Sequence, residues 1–132
     1  MKPTLAAGAA LTGIVITLTG TAITAPGASA ATACVDQVLS YDPGTYQSCV
    51  LDEQVLLNDL WRIGFTGPDQ QLATDGYYGL HTEGDVESFN DNWIPQQAGS
   101  GVTTTLTWAA VCEIDWEHGF RGVYWHGAGC IP

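Results

Sequence analysis

The chain has 132 residues, and its 14 carboxylates against three Lys or Arg give a formal net charge of −11. A surface this acidic repels phosphate, so nucleic acid and anionic membrane are excluded as natural partners. A neutral, zwitterionic or cationic ligand is expected, and the length admits one small domain.

At the N-terminus, Lys2 precedes a run of Ala, Leu, Ile, Val, Thr and Gly with no charge through Ala33; the run includes Pro26 and the triplet Ala28-Ser29-Ala30. A charged start, an apolar middle and small residues at −3 and −1 are the layout of a secretory signal, so residues 1–30 are read as one, removed after Ala30. The competing reading is a retained membrane helix, opposed by the Gly and Thr content and by the lack of a following basic cluster. Cleavage would leave Arg62 and Arg121 as the remaining Lys or Arg, in a secreted, cell-wall-associated protein with no membrane attachment. Four cysteines then remain: Cys34, Cys49, Cys112 and Cys130. An even count in an oxidising compartment implies two bridges, and no C-x2-C pair supports zinc. Three pairings are open. The local one, Cys34 with Cys49 and Cys112 with Cys130, would close two short loops worth about 3 kcal/mol each.

Residues 31–50 are an N-terminal disulfide loop in this reading. The stretch VLDEQVLLNDLWRIGF follows, with Leu56, Leu60 and Ile63 at i, i+4, i+7 and Val55 beside them. That is the apolar stripe of an amphipathic helix, with Leu57 and Trp61 flanking it, Asp52 as N-cap and Gly64 as the stop. TGPDQQLAT is a turn-rich connector. DGYYGLHTEGDVESF and SGVTTTLTWAAVCEI then match at a period of 25, with Gly76 over Gly101, Thr82 over Thr107, Val86 over Val111 and Phe89 over Ile114. Each copy reads as a turn at a glycine of positive φ, a threonine N-cap and a helix; in the first, Asp85 completes a box with Thr82. Three helices result.

The ordered set Leu56, Leu60, Ile63-Gly64-Phe65, Asp75-Gly76-Tyr77-Tyr78-Gly79, Thr82, Val86, Phe89, Gly101 and Thr107-Trp108 resembles the type 1 peptidoglycan-binding domain, a three-helix module of bacterial cell-wall proteins. Leu57 and Asn90 depart from it, standing where that family has glutamine. The resemblance covers residues 51–112. It implies a mostly α fold, a small three-helix bundle with turn-rich loops, and peptidoglycan as ligand through its stem peptide and adjoining glycan. It also places Tyr78 in the core and Tyr77 outside, as an aromatic contact for sugar or peptide. Asn90 and Trp93 are the other candidate ligand-binding residues.

Carboxylates crowd Asp75 to Asp91, but without the alternating spacing of a calcium loop; they suit the start of a helix. The tail, residues 113–132, alternates Glu113, Asp115 and Glu117 with Ile114, Trp116 and His118, and reads as a small aromatic hairpin closed by Cys112 and Cys130 if it is extended. His118 and His126 match no metal-site signature, and no nucleophile motif is present. No catalytic residue, metal or cofactor is expected. Binding, alone or beside a separate cell-wall enzyme, is the function this reading implies. The rivals are a small wall hydrolase built on the tail's Glu113, Asp115, Glu117, His118 or His126, and a secreted inhibitor or interaction protein.

Overall fold

The first helix, α1 (Ser48–Arg62), begins four residues before the expected cap at Asp52. Gln47 is held extended by its N–H on Gly76 O at 2.9 Å, and the chain turns helical as soon as that bond releases it. The helix buries Val50, Glu53, Gln54, Leu56, Leu57, Asn58 and Leu60, a face wider than the stripe read from the sequence. Ile63 does not join it. The helix ends at Arg62, and Gly64 (φ 71°) reverses the chain, leaving Ile63 exposed. Gly64 N–H bonds Trp61 O and Phe65 N–H bonds Leu60 O, each at 3.0 Å, which is the Schellman pattern that satisfies the last carbonyls. This computed structural model describes residues 31–132, so the signal expected at 1–30 lies outside the described residues.

Two helices of 14 residues follow, α2 (Leu80–Trp93) and α3 (Thr105–His118), and then a short one, α4 (Val123–Ala128). The protein is mostly α, a small helical bundle with two disulfides. Among the described residues no extended strand forms, and two isolated antiparallel bridges, Leu39 with Thr103 and Asp42 with Tyr78, lace the N-terminal segment to the connectors. In the core, α1 packs on α3 and α4. Leu56, Leu57, Leu60, Tyr78, Val86, Phe89, Trp108, Val111 and Trp125 are buried together. Trp125 donates its indole N–H to Cys112 O and Trp108 to Gln37 O, so both large rings are buried without an orphaned donor.

The 25-residue period is structural, but the threonines do not cap. Thr82 and Thr107 are each the third residue of their helix, and the caps are Gly79 and Thr104. In the second copy Thr104 and Thr107 make a reciprocal capping box. In the first, Asp85 forms no box with Thr82; its Oδ1 instead accepts from Asp69 N–H (2.8 Å) and Gln70 N–H (3.2 Å). Gly76 has φ 75°, whereas Gly101 is not left-handed. Its need for glycine is space: a Cβ there would fall 2.8 Å from Glu83 O.

The cysteines pair locally, Cys34 with Cys49 and Cys112 with Cys130. The tail is not a hairpin. α3 runs six residues past the expected boundary at 112, to the left-handed Gly119, and α4 then fills the loop that Cys112–Cys130 closes. Residues 31–132 form one compact unit.

Candidate functional site

The Asp75-Gly76-Tyr77 turn is built around one side chain. Gln54, buried on α1, accepts from Asp75 N–H and Gly76 N–H at 3.0 Å through Oε1. Its Nε2 lies 3.1 Å from Asp75 Oδ1, Tyr77 O and Thr82 Oγ1. One amide thereby ties α1, the turn and the first turn of α2. Four residues on, along the same face, Asn58 donates to Leu72 O (3.0 Å) and accepts from Leu72 N–H (2.7 Å), fixing the connector opposite the turn. Sequence reasoning missed both residues. Their signal was two amides at i and i+4 beside an otherwise apolar stripe.

Between connector and turn lies a cleft of about 340 Å³, lined by Gln70, Gln71, Ala73, Asp75, Tyr77 and His81 among others. Tyr78 is fully buried, its hydroxyl bonding Gly101 O at 2.8 Å, while Tyr77 is 41% exposed at the cleft. The successive tyrosines therefore point in opposite senses. Tyr77 stands edge-on to exposed Tyr46, with ring centroids 6.0 Å apart. The Tyr77 N–H on Asp75, followed by the Gln54 amide, holds the Asp75 carboxyl below its ordinary pKa, so the cleft keeps a fixed negative charge. An aromatic pair beside a fixed carboxylate and several amides can hold a polar ligand that has apolar faces and a cationic or neutral end.

The other two candidate residues do not join this cleft. Asn90 is fully buried: it donates to Ser100 O (2.8 Å) and Val102 O (3.1 Å) and accepts from the Thr107 hydroxyl (3.1 Å). A side chain so committed has nothing left for a ligand. Its role repeats that of Gln54, an amide of the preceding helix gripping the next turn and the next threonine. Trp93 is at the far end of α2, about 20 Å from its start at 1.5 Å per residue. There it is 44% exposed, stacks on Phe65 at 4.7 Å and donates its indole N–H to Thr66 O. His118 meets the other edge of that stack, 5.5 Å from Phe65.

The tail's ionisable residues are dispersed. Asp115 is fully buried on α3 with neither carboxylate oxygen partnered, and burial, with Asp59 nearby, pushes its pKa up to about 8. Glu113 and Glu117 are exposed on the outer side of α3, and His126 packs edge-on against Trp125 at 5.0 Å. Among the described residues, no three His, Cys, Asp or Glu side chains are grouped to hold a metal ion. No helix of the described residues is long and apolar enough to cross a membrane. Compared with known proteins, the chain matches no family model, no curated protein and no solved structure.

Proposed function

We propose that this protein is a non-catalytic, secreted module that binds bacterial peptidoglycan through the Tyr77 cleft, contacting the stem peptide and the adjoining glycan. The observation that carries the reading is the exposed Tyr77–Tyr46 pair at the edge of a polar cleft whose shape is set by Gln54 and Asn58. Support also comes from the ordered resemblance over residues 51–112 and from the acidic surface, which disfavours polyanions and tolerates zwitterionic peptide. In this reading the protein acts by binding alone or beside a separate cell-wall enzyme.

The test separates Tyr77 from Trp93, since the two lie at opposite ends of α2. Tyr77→Ala should weaken retention on insoluble peptidoglycan by about tenfold, the loss of one aromatic hot-spot contact, with little change in melting temperature. Trp93→Ala should leave retention within about twofold of the parent. The reverse pattern would place the contact at the Phe65–Trp93 end and refute the cleft.

A further inference from the structure

The residues that line the Tyr77 cleft offer two kinds of surface. Ala73, Tyr77 and Leu80 are apolar, and all three are exposed. Gln70, Gln71 and Asp75 are polar and exposed as well. Asp75 is the one carboxylate among the lining residues, and no Lys or Arg joins it. At about 340 Å³ the cleft is at the small end of the range for ligand sites, a size that suits one side chain with its flanking peptide groups better than a polymer strand.

The hydrogen bonds of Asp75 narrow the charged end that fits. Its Oδ1 already accepts from Tyr77 N–H at 3.0 Å and from Gln54 Nε2 at 3.1 Å, which fixes the orientation of the carboxylate. Among the described residues Oδ2 takes no hydrogen bond, so one oxygen is left for a ligand. A guanidinium is best held by both oxygens of a carboxylate, each taking one N–H, and here one oxygen is spent. A primary ammonium is a point charge that a single oxygen can hold. An anionic end would face like charge. The aliphatic stem behind an ammonium can lie against Tyr77 and Leu80, and the two glutamines supply donors and acceptors for peptide groups on either side of it. We propose that Asp75 makes the Tyr77 cleft specific for a peptide that carries a free primary ammonium on an aliphatic stem. In stem peptides, and on the peptidoglycan reading on which this inference rests, that group is the side-chain amine of a diamino residue that has not been cross-linked. Cross-linking turns the amine into an amide and removes the charge, so the cleft selects wall that is still open.

Three end-capped tripeptides serve as soluble probes: Ala-Lys-Ala, the same peptide acetylated on its side-chain amine, and Ala-Arg-Ala. They are titrated into the isotopically labelled disulfide-bonded protein and followed by amide resonances. The lysine peptide should shift Gln70, Gln71, Ala73, Tyr77 and Leu80 together. The acetylated peptide should bind about fivefold more weakly, the worth of one exposed ion pair, and the arginine peptide should also bind more weakly than the lysine peptide. Asp75→Asn keeps an Oδ1 for Tyr77 N–H and Gln54, so the turn is held, yet this variant should bind the free and acetylated lysine peptides equally. A loss of discrimination is a readout that a merely structural role for Asp75 would not move. Co-sedimentation with insoluble peptidoglycan, untreated or with its free amines acetylated, is the second arm, and retention on the acetylated wall should be about fivefold lower. Equal binding of the free and acetylated peptides, tighter binding of the arginine peptide, discrimination that survives Asp75→Asn, shifts scattered over other acidic faces, or no shifts at all would each overturn the proposal. Discrimination between the peptides without retention on either wall would refute peptidoglycan as the ligand and uphold the ammonium site.

Discussion

Two constraints meet at Gly76. Its φ of 75° is in the left-handed region that L side chains rarely adopt, and a Cβ would fall 2.7 Å from Tyr46 Cδ2 and closer still to Cε2. Gly76→Val should therefore cost about 2–4 kcal/mol, backbone strain added to overpacking, read as a lower denaturation midpoint. An unchanged midpoint would mean that the turn relaxes at no cost. Gln54 is the other half of the same device. Gln54→Leu leaves Asp75 N–H, Gly76 N–H and the Thr82 hydroxyl without their partner, and should destabilise by about 3 kcal/mol. Because both changes strike one turn, the double variant should lose less than the sum of the two, and strict additivity would show that Gln54 and the turn are not coupled.

At the scale of elements, the chain builds one unit twice: a helix amide, a turn, then a threonine at the third position of the next helix. The turn glycine, the threonine and the apolar positions are legible as a repeat because they recur at one spacing. The amides are not, because Gln54 precedes Thr82 by 28 residues and Asn90 precedes Thr107 by 17. The same task at unequal offsets leaves no period to find, so Gln54 passes unnoticed and Asn90 reads as a ligand contact. The exposure of Tyr77 beside the buried Tyr78 is legible, since neighbours in a tight turn face opposite ways. Helix α4 is not: six residues including a glycine carry little periodicity, and tertiary contacts hold them. Costs within the second unit should therefore be unequal. Thr104→Ala removes a partly exposed cap and should cost about 1 kcal/mol. Asn90→Ala strips partners from the buried Thr107 hydroxyl and two backbone carbonyls, and should cost about 2–4 kcal/mol. Equal costs would contradict the assignment of Asn90 as the internal grip.

Across the molecule as a whole, the least ordinary property is buried acid without buried Lys, Arg or His among the described residues. Burial pushes Glu53 up to about 8 despite the Thr103 hydroxyl on its Oε1, Asp115 up to about 8 and Asp85 up to about 6. Glu53 Oε2, Asp85 Oδ2 and both Asp115 oxygens have no partner. Tyr78 faces Glu53, Asp59 faces Asp115, and Asp69 and His81 face Asp85; Arg62 is taken by Asp59 at 2.8 Å and Arg121 lies over the Trp116 ring. Each of the three carboxyls holds its proton in the folded state at pH values where the unfolded chain, with carboxyl pKa near 4, has released it. Their stabilising contribution is thus complete below about pH 4 and is lost as pH rises toward about 8. Repulsion within the acidic surface adds to the same trend, and the depressed Asp75 opposes it only in acid. The melting temperature should fall by at least about 5 °C between pH 5 and pH 8, which is about 1 kcal/mol for a domain of this size. Glu53→Gln, which keeps the shape but cannot ionise, should flatten that fall, and a melting temperature that rises over the interval would contradict the burial of these acids.

The most direct test of the central claim is co-sedimentation of the disulfide-bonded protein with purified insoluble peptidoglycan, with the supernatant assayed for released muropeptides. The protein should pellet with the wall, Tyr77→Ala should remain largely in solution, and no fragments should be released with or without a chelator. Fragment release abolished by a chelator would contradict the non-catalytic reading, and an unretained parent protein would contradict peptidoglycan binding itself.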